Sequence, residues 1–331
     1  MNYYIESSST DPSFNLALEQ YVFDCMDRAH SYFMLWQNHN SVIVGKHQNT
    51  IAEINSAFVN ANNISVVRRL SGGGAVYHDL GNLNFTFITG AGSDNSIDFS
   101  GFCEPVQKAL VSLGVPAVLS GRNDITVDGK KVSGNAQYVK QSRVMHHGTL
   151  LYDSNLDVLS QVLNAKGDKI ESKGIKSVRS RVTNIRPYMK NDMSVNDFMT
   201  ALKNHLFNVF NLTEYIISDS EIKEIEKIKK ETYSRWSWNY GESPAYNIRK
   251  SRYIEGCGNI EVLLDVEKGG IINNIAFFGD FFGADDPRDL AVKITGRHYE
   301  YNEIEKILKD IDLTRFFLNI DVNAFLAVLF E

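Results

Sequence analysis

The sequence predicts an α+β fold, with mixed, mainly antiparallel sheets in a large domain, residues 1–243, and a small α+β accessory domain, residues 244–331. Three observations carry this reading. Strand-like runs follow one another with only a turn between, at residues 32–36 and 41–45 and again at 122–127 and 130–137, too closely for a doubly wound parallel sheet. Stretches with apolar residues at helical spacing alternate with these runs. At 331 residues the chain exceeds one small core and suits a large domain plus a smaller one.

Composition excludes several classes. Apolar residues at 43% and charged residues at 22% leave enough material for a packed core, so disorder is not expected. A formal net charge of −6 argues against nonspecific nucleic-acid binding, which usually needs a basic domain. Cys25, Cys103 and Cys257 are odd in number, lack metal-like spacing and sit in apolar contexts suited to buried small hydrophobes, which points to a reducing, cytoplasmic setting. The first residues carry no basic segment followed by an apolar run, and no window approaches the roughly 18 apolar residues of a membrane span. Neither a membrane nor a nucleic acid is expected as a partner.

Taken in order, Asp11-Pro12 is a cap with proline at the first helical position, and Phe14, Ala17, Leu18, Tyr21, Val22 and Cys25 recur at helical spacing behind it. Asn15 and Glu19 lie one turn apart on a neighbouring face. Residues 55–62 form a short helix before a strand that leads through Ser65-Val66-Val67 into Arg68. Phe102, Val106, Ala109, Leu110 and Leu113 make an amphipathic stripe stopped by Gly114. Asp128-Gly129 is a tight hairpin turn between a strand carrying Asp124 and a return strand carrying Lys130 and Lys131. Residues 143–152 read as another strand. Ser194 with Asp197 opens a helix, and residues 220–232 continue the helical scaffold. The aromatic segment around Trp236, Trp238, Tyr240 and Tyr246 marks the domain boundary; beyond it come strands at 248–255, 259–267 and 271–278, then helices near 288–294, 302–311 and 322–330.

The stretch from Arg68 to Asn82 is the centre of the chain. Gly72-Gly73-Gly74 cannot serve a core, and fixing glycine costs about 0.5–1 kcal/mol per residue, so the run signals unusual backbone angles or a close ligand. Its N–H groups, with Arg68, Arg69 and Ser71 alongside, can cradle a carboxylate or phosphate; a plain hairpin connector is the alternative. Lys130 and Lys131 point to opposite faces of their strand, as do His146 and His147, so at most one of each pair can face an enclosed site. By spacing alone, two solvated lysines at a hairpin tip are the ordinary reading. Dinucleotide and P-loop fingerprints are both missing from the sequence.

Residues 68–82 resemble, at every position, the lipoate-protein ligase A signature Arg-Arg-x-Ser-Gly-Gly-Gly-Ala-Val-(Tyr/Phe)-His-Asp-x-Gly-Asn. Lys131, Gly134 and Ala136 resemble the family's Lys-x-x-Gly-x-Ala, His146 to Leu151 its His-His-Gly-Thr-Leu-Leu, and residues 173–184 its basic adenylate-binding loop. The resemblance implies the biotin/lipoate ligase fold with the C-terminal accessory domain. It also implies activation of lipoate by ATP to lipoyl-AMP, then transfer to a lysine of apo-lipoyl domains of 2-oxoacid dehydrogenase complexes or of the glycine-cleavage H protein.

In that family Lys131 is the catalytic residue, touching both the acyl carboxylate and the α-phosphate. Arg68, Ser71, Gly72, Gly73, Gly74 and His147 are implied for lipoate. Arg69, Gly74, Ala75, Tyr77, His78, Asn82, Asp124, Lys131, Gly134, Ala136, Thr149, Ser177 and Arg179 are implied for ATP or the adenylate. Mg2+ is expected from the resemblance, with unknown ligands, and octanoate is a possible acyl substrate beside lipoate. Two alternatives stand: a same-fold octanoyl or lipoyl acyltransferase, which needs a cysteine nucleophile, and a noncatalytic lipoyl-binding module. The three cysteines lie outside the motifs in sequence.

Overall fold

Three sheets organise the computed structural model, which describes residues 1–331 except 92–98, 122, 164–180, 242–245, 268 and 331. Strands β1 (Asn2–Glu6), β2 (Ser31–Trp36), β3 (Ser41–Val44), β4 (Ser65–Arg68), β5 (Val76–His78), β6 (Asn82–Gly90), β7 (Val118–Ser120), β8 (Asp124–Val127), β9 (Lys130–Lys140), β10 (Arg143–Leu151) and β11 (Thr213–Glu214) precede residue 241. Helices α1 (Pro12–Cys25), α2 (Thr50–Glu53), α3 (Ser56–Ala61), α4 (Ser100–Ser112), α5 (Leu156–Val162), α6 (Val195–Phe210), α7 (Asp219–Ile228) and α8 (Trp236–Tyr240) are interspersed.

The large sheet runs β11-β1-β2-β6-β10-β9-β8-β7, and the small one beside it β4-β3-β5. Pairing is parallel for β11-β1-β2 and for β3-β4 and antiparallel elsewhere, as an α+β chain with mixed sheets requires. Alternation along β6 sends Leu83, Phe85 and Phe87 into a core with Val106 and Leu110 of α4 and Phe198, Leu202 and Leu206 of α6. It sends Asn82, Asn84 and Thr86, all buried, to the opposite face. On that face α1 packs Leu16, Ala17 and Val22 against Trp36 and Met145. A buried polar row in a central strand costs stability unless each group finds a partner, so it marks where function has displaced packing.

Local signals place these elements. The Asp11 carboxylate accepts from Ser13 N at 2.9 Å, with Pro12 opening α1. Ser194 and Asp197 form a complete capping box at the start of α6. Asp128 (φ 50°) and Gly129 (φ 71°) turn β8 into β9 in the left-handed conformation that matches strand twist.

Beyond residue 245 the antiparallel sheet of β12 (Ile248–Ile254), β13 (Gly258–Val266) and β14 (Ile272–Gly279) is covered by α9 (Pro287–Ile294), α10 (Tyr301–Leu308) and α11 (Val322–Phe330). Its core, including Ile260, Val262, Leu290, Phe317 and Phe325, draws only on residues after 247. The aromatic segment expected as a boundary holds α8, which docks on the small sheet: Trp238 Nε1 donates to Arg68 O at 2.8 Å. Cys103 and Cys257 are buried, but Cys25, expected to be buried, is exposed at the last turn of α1. Among the described residues no helix is long and apolar enough to cross a membrane.

Candidate active site

Between the glycine loop and the polar face of β6, β10 and β9 lies a cleft of about 580 Å3 including its open mouth. Leu16, Trp36, Ile43 and Val76 supply apolar wall, while Arg69, His78, Asn84, Lys131, His147 and Thr149 supply polar groups. An apolar slot with a few convergent polar groups is the usual form of a small-molecule site.

The two arginines that begin the loop do different things. Arg68, at the end of β4, turns into the protein: Nε donates to Trp238 O, Nη1 to the carbonyls of Gly45, Lys46 and Gln48, and Nη2 to Thr50 Oγ1 and Asn239 O, at 2.7–3.2 Å. Every N–H of its guanidinium is thus engaged in tying β4, the 45–50 turn and α8 together. Arg69 lines the cleft and clasps the loop, donating to Gly72 O at 2.6 Å, Gly74 O at 2.9 Å, Ile43 O and Ser71 Oγ. Burial pulls its pKa down to about 10, which still leaves it charged at neutral pH.

Ser71 is almost fully buried, its Oγ 2.6 Å from His147 Nε2. His147 Nδ1 in turn lies 3.0 Å from Glu19 Oε1, which also accepts from Thr86 Oγ1 at 2.5 Å, itself bonded by Trp36 Nε1 at 2.9 Å. The relay runs from β2 through α1 and β10 to the glycine loop. Arg69 Nε also donates to Ser71 Oγ, so the serine is held from both sides, by Arg69 and by His147.

Lys131 stands at the mouth. Its Nζ is 2.8 Å from Asp124 Oδ1, both side chains about one-third exposed. Gly134 makes the room: a Cβ there would lie 2.6 Å from Lys131 Nζ. Thr149 Oγ1 accepts from Gly134 N at 3.2 Å, fixing the strand at that point. Lys130 is exposed, so the alternation expected for the pair holds. The backbone of Lys131 also receives Thr183 N at 3.0 Å, which brings the end of the basic loop beside it. Ser177 and Arg179 lie outside the described residues.

Of the remaining expected residues, Gly73, Gly74, Ala75, His78, Ala136 and Thr149 line the cleft. Asn82 sits one rung behind, its Nδ2 donating to Asn84 Oδ1 at 2.9 Å, while Asn84 Nδ2 is buried with no partner among the described residues. Tyr77 faces away and hydrogen-bonds Asn40 at 2.9 Å. The structure thus gathers Arg69, the glycine loop, His78, Lys131, Thr149 and His147 around one space, and keeps the side chains of Arg68 and Tyr77 out of it.

Sequence reasoning missed a contribution from the C-terminal region. Phe281 O accepts from Gly73 N at 3.3 Å, and the Phe282 ring forms one wall of the cleft. Gly73 (φ +85°) has no space for a side chain, since a Cβ would lie 2.8 Å from that ring. No motif announced the pair; the only signal was two aromatic residues between Gly279 and Gly283.

Cys103, remote from the motifs in sequence, approaches His146 Nε2 at 3.8 Å. The neighbouring amides decide what this pair can do. Asn135 Nδ2 donates to Asn123 O, so its Oδ1 faces His146 Nε2 at 3.3 Å, and Gln137 Nε2 lies 3.0 Å from Nδ1. His146 is therefore protonated at Nε2 and cannot take the thiol proton, and burial holds its pKa well below the usual range. Among the described residues His146 therefore does not serve as a base for the Cys103 thiol.

The chain matches the family description "Lipoyl protein ligase A/B catalytic domain" over residues 11–207 and "Bacterial lipoate protein ligase C-terminus" over residues 243–329. It is 46% identical over 323 residues to the lipoate-protein ligase LplJ of Bacillus subtilis, covering 97% of each chain. Among solved structures it is similar to LipL1 of P. falciparum in complex with lipoate, with a TM-score of 0.80 and 25% identity over 99% of this chain and 97% of that one. It is also similar to the bi-partite lipoate protein ligase of Thermoplasma acidophilum, described with its E2 lipoyl domain, with a TM-score of 0.63 and 26% identity over 75% of this chain and 99% of that one.

Proposed function

This chain belongs to the lipoyl protein ligase A/B family, and from that membership we propose that it attaches lipoate to protein at the expense of ATP. It is an ATP-dependent ligase. The observation that carries the reading is the cleft's lining: apolar Leu16, Trp36, Ile43 and Val76 share one space with the Lys131 ammonium, a combination suited to a fatty acyl chain with a terminal carboxylate.

A free carboxylate is a poor acyl donor. In the first step a carboxylate oxygen of lipoate attacks the α-phosphorus of ATP and the bond to pyrophosphate breaks, giving lipoyl-AMP. In the second, the amine of an acceptor lysine attacks the carbonyl, the C–O bond to AMP breaks, and the amine loses a proton. Lys131 stabilises the charge shared by carboxylate and α-phosphate as they meet, an electrostatic role needing no proton transfer. Its ion pair with Asp124 keeps the ammonium aimed at the mouth until a ligand arrives. The glycine loop, braced by Arg69 and Ser71 and anchored by Arg68, lies over the acyl group with His147 beneath. Ala75, His78, Gly134, Ala136 and Thr149 border the nucleotide side, with Asn82 behind them supporting Asn84.

Mg2+ belongs to the same proposal. Magnesium needs only one or two carboxylates when substrate phosphates complete its shell. Asp124, partly exposed beside Lys131, fits that role, and the ion would neutralise phosphate charge. Among the described residues no three His, Cys, Asp or Glu side chains converge on a dedicated metal site.

The acceptor we propose is a lipoyl domain of a 2-oxoacid dehydrogenase complex or the glycine-cleavage H protein, and the setting cytoplasmic. The division into a catalytic domain, residues 1–243, and an accessory domain, residues 244–331, is part of the same reading and is supported by the self-contained core after residue 247. The test is pyrophosphate release from ATP and lipoate, with and without an apo-lipoyl domain. Release without acceptor, followed by an acceptor carrying one amide-linked lipoyl group, is expected; no release under either condition sinks the proposal.

A further inference from the structure

Helix α1 reaches both cleft histidines, His147 directly through Glu19 and His78 through Asn15 and Asn38, and the second chain of contacts fixes the His78 tautomer. Asn15 Nδ2 donates to the carbonyls of Ser9 and Gln37 at 2.9 and 2.8 Å, which only accept, so the amide orientation is settled. The same nitrogen is 2.9 Å from Asn38, whose nearer atom must then be Oδ1. That turns Asn38 Nδ2 toward His78 Nδ1 at 3.1 Å. His78 Nδ1 is thus an acceptor, and its proton resides on Nε2. One helical turn on, Glu19 lies 3.0 Å from His147 Nδ1, and His147 Nε2 is 2.6 Å from Ser71 Oγ.

The two rings differ in what is left over. Both nitrogens of His147 are engaged within the protein. His78 is 3% exposed, lines the cleft at 6.2 Å from the Trp36 ring, and its Nε2 meets no acceptor among the described residues. A buried N–H without a partner in a binding cleft is an arrangement that a ligand completes.

We propose that Asn15 and Asn38 are positioning residues that hold His78 as a neutral hydrogen-bond donor, its Nε2–H aimed at an acceptor atom of the bound acyl-adenylate. The inference rests on the ligase reading above, and adds two residues that lie outside every motif. Burial and the nearby Arg69 cation push the His78 pKa down to about 3, so the ring stays neutral across the working range and its donor persists. The acceptor is a carbonyl or phosphoryl oxygen or a base nitrogen of the ligand.

Side-chain 15N NMR of the wild-type protein reads the tautomer directly, because protonated and bare ring nitrogens resonate far apart. His78 protonated at Nε2, with and without a non-hydrolysable lipoyl-sulfamoyl-adenosine, is expected; a bare Nε2 overturns the proposal. Binding then tests the coupling. Asn38→Leu and His78→Leu should each weaken that analogue by about tenfold, near one hydrogen bond's worth, while His78→Gln retains affinity. The double variant should be no worse than either single one, since Asn38 acts through His78. Additive losses, or no loss in either single variant, overturn the inference. Lipoate and AMP measured separately assign the acceptor to the acyl or the nucleotide part. Failure of the wild type to bind the analogue would instead count against the ligase reading, and the NMR result would still decide the tautomer.

Discussion

Lys131 and Lys130 share a strand, a charge and nearly a position, yet only one faces the cleft mouth. Lys131→Ala should lower the rate of pyrophosphate release by about 100-fold or more, the usual size of losing one preorganised electrostatic contact, with the melting temperature little changed. Lys130→Ala should stay within about twofold of wild type, because an exposed hairpin lysine packs on nothing. Equal losses in the two variants would mean that the strand presents its other face to the substrate. Strand alternation made this choice legible from sequence, as it did for His146 and His147. Asn84 and Asn38 were not legible: an asparagine in a strand or loop carries no pattern, and only the fold reveals that it is buried and left with a single exposed duty.

At the level of elements, Arg68 joins three pieces that are far apart in sequence: β4, the 45–50 turn and α8. Arg68→Met should therefore cost stability, roughly 2–4 kcal/mol through orphaned buried carbonyls, read as a fall in melting temperature. Lipoate affinity of the remaining folded protein should be nearly unchanged. A variant of wild-type stability with weakened lipoate binding would instead make Arg68 a ligand contact. Elements with strong local chemistry were readable in advance: α1 from Asp11-Pro12, α6 from its capping box, and the β8–β9 hairpin from Asp128-Gly129. The strands β1, β7 and β11 were not, since they are two to five residues long and owe their existence to partners elsewhere in the chain. Helix α8 hid in an aromatic run that looked like a linker, because its side chains pack on cores built by distant elements, Trp238 on that of α1 and β2 and Tyr240 on that of β3 and α5.

For the whole molecule, the C-terminal region is held to the rest by the hydrogen bonds Gly73 N to Phe281 O and Gly279 N to His47 O at 2.9 Å, the Lys46–Asp286 ion pair at 3.3 Å, the stacking of His47 on Phe281 and a small buried cluster of Phe282 with Phe99, Cys103 and Ala136. The reaction asks for a water-excluding cleft during adenylation and an accessible carbonyl afterwards. Lipoyl-adenylate is therefore expected to reposition this region, and hydrogen exchange on apo and adenylate-loaded protein should show changed protection at Gly73 and Gly279. Identical exchange at both amides in the two states would mean that the contacts are permanent and that the acceptor reaches the cleft past them. The Phe282 wall has one more consequence. A chain emerging from the ribosome folds its early residues first, so the floor from β6 and β10 and the roof from the glycine loop can form long before residue 282 has been translated. The cleft is finished last, and a polypeptide cut short of that phenylalanine would carry the lysine and the loop yet leave its acyl slot open to water on one side.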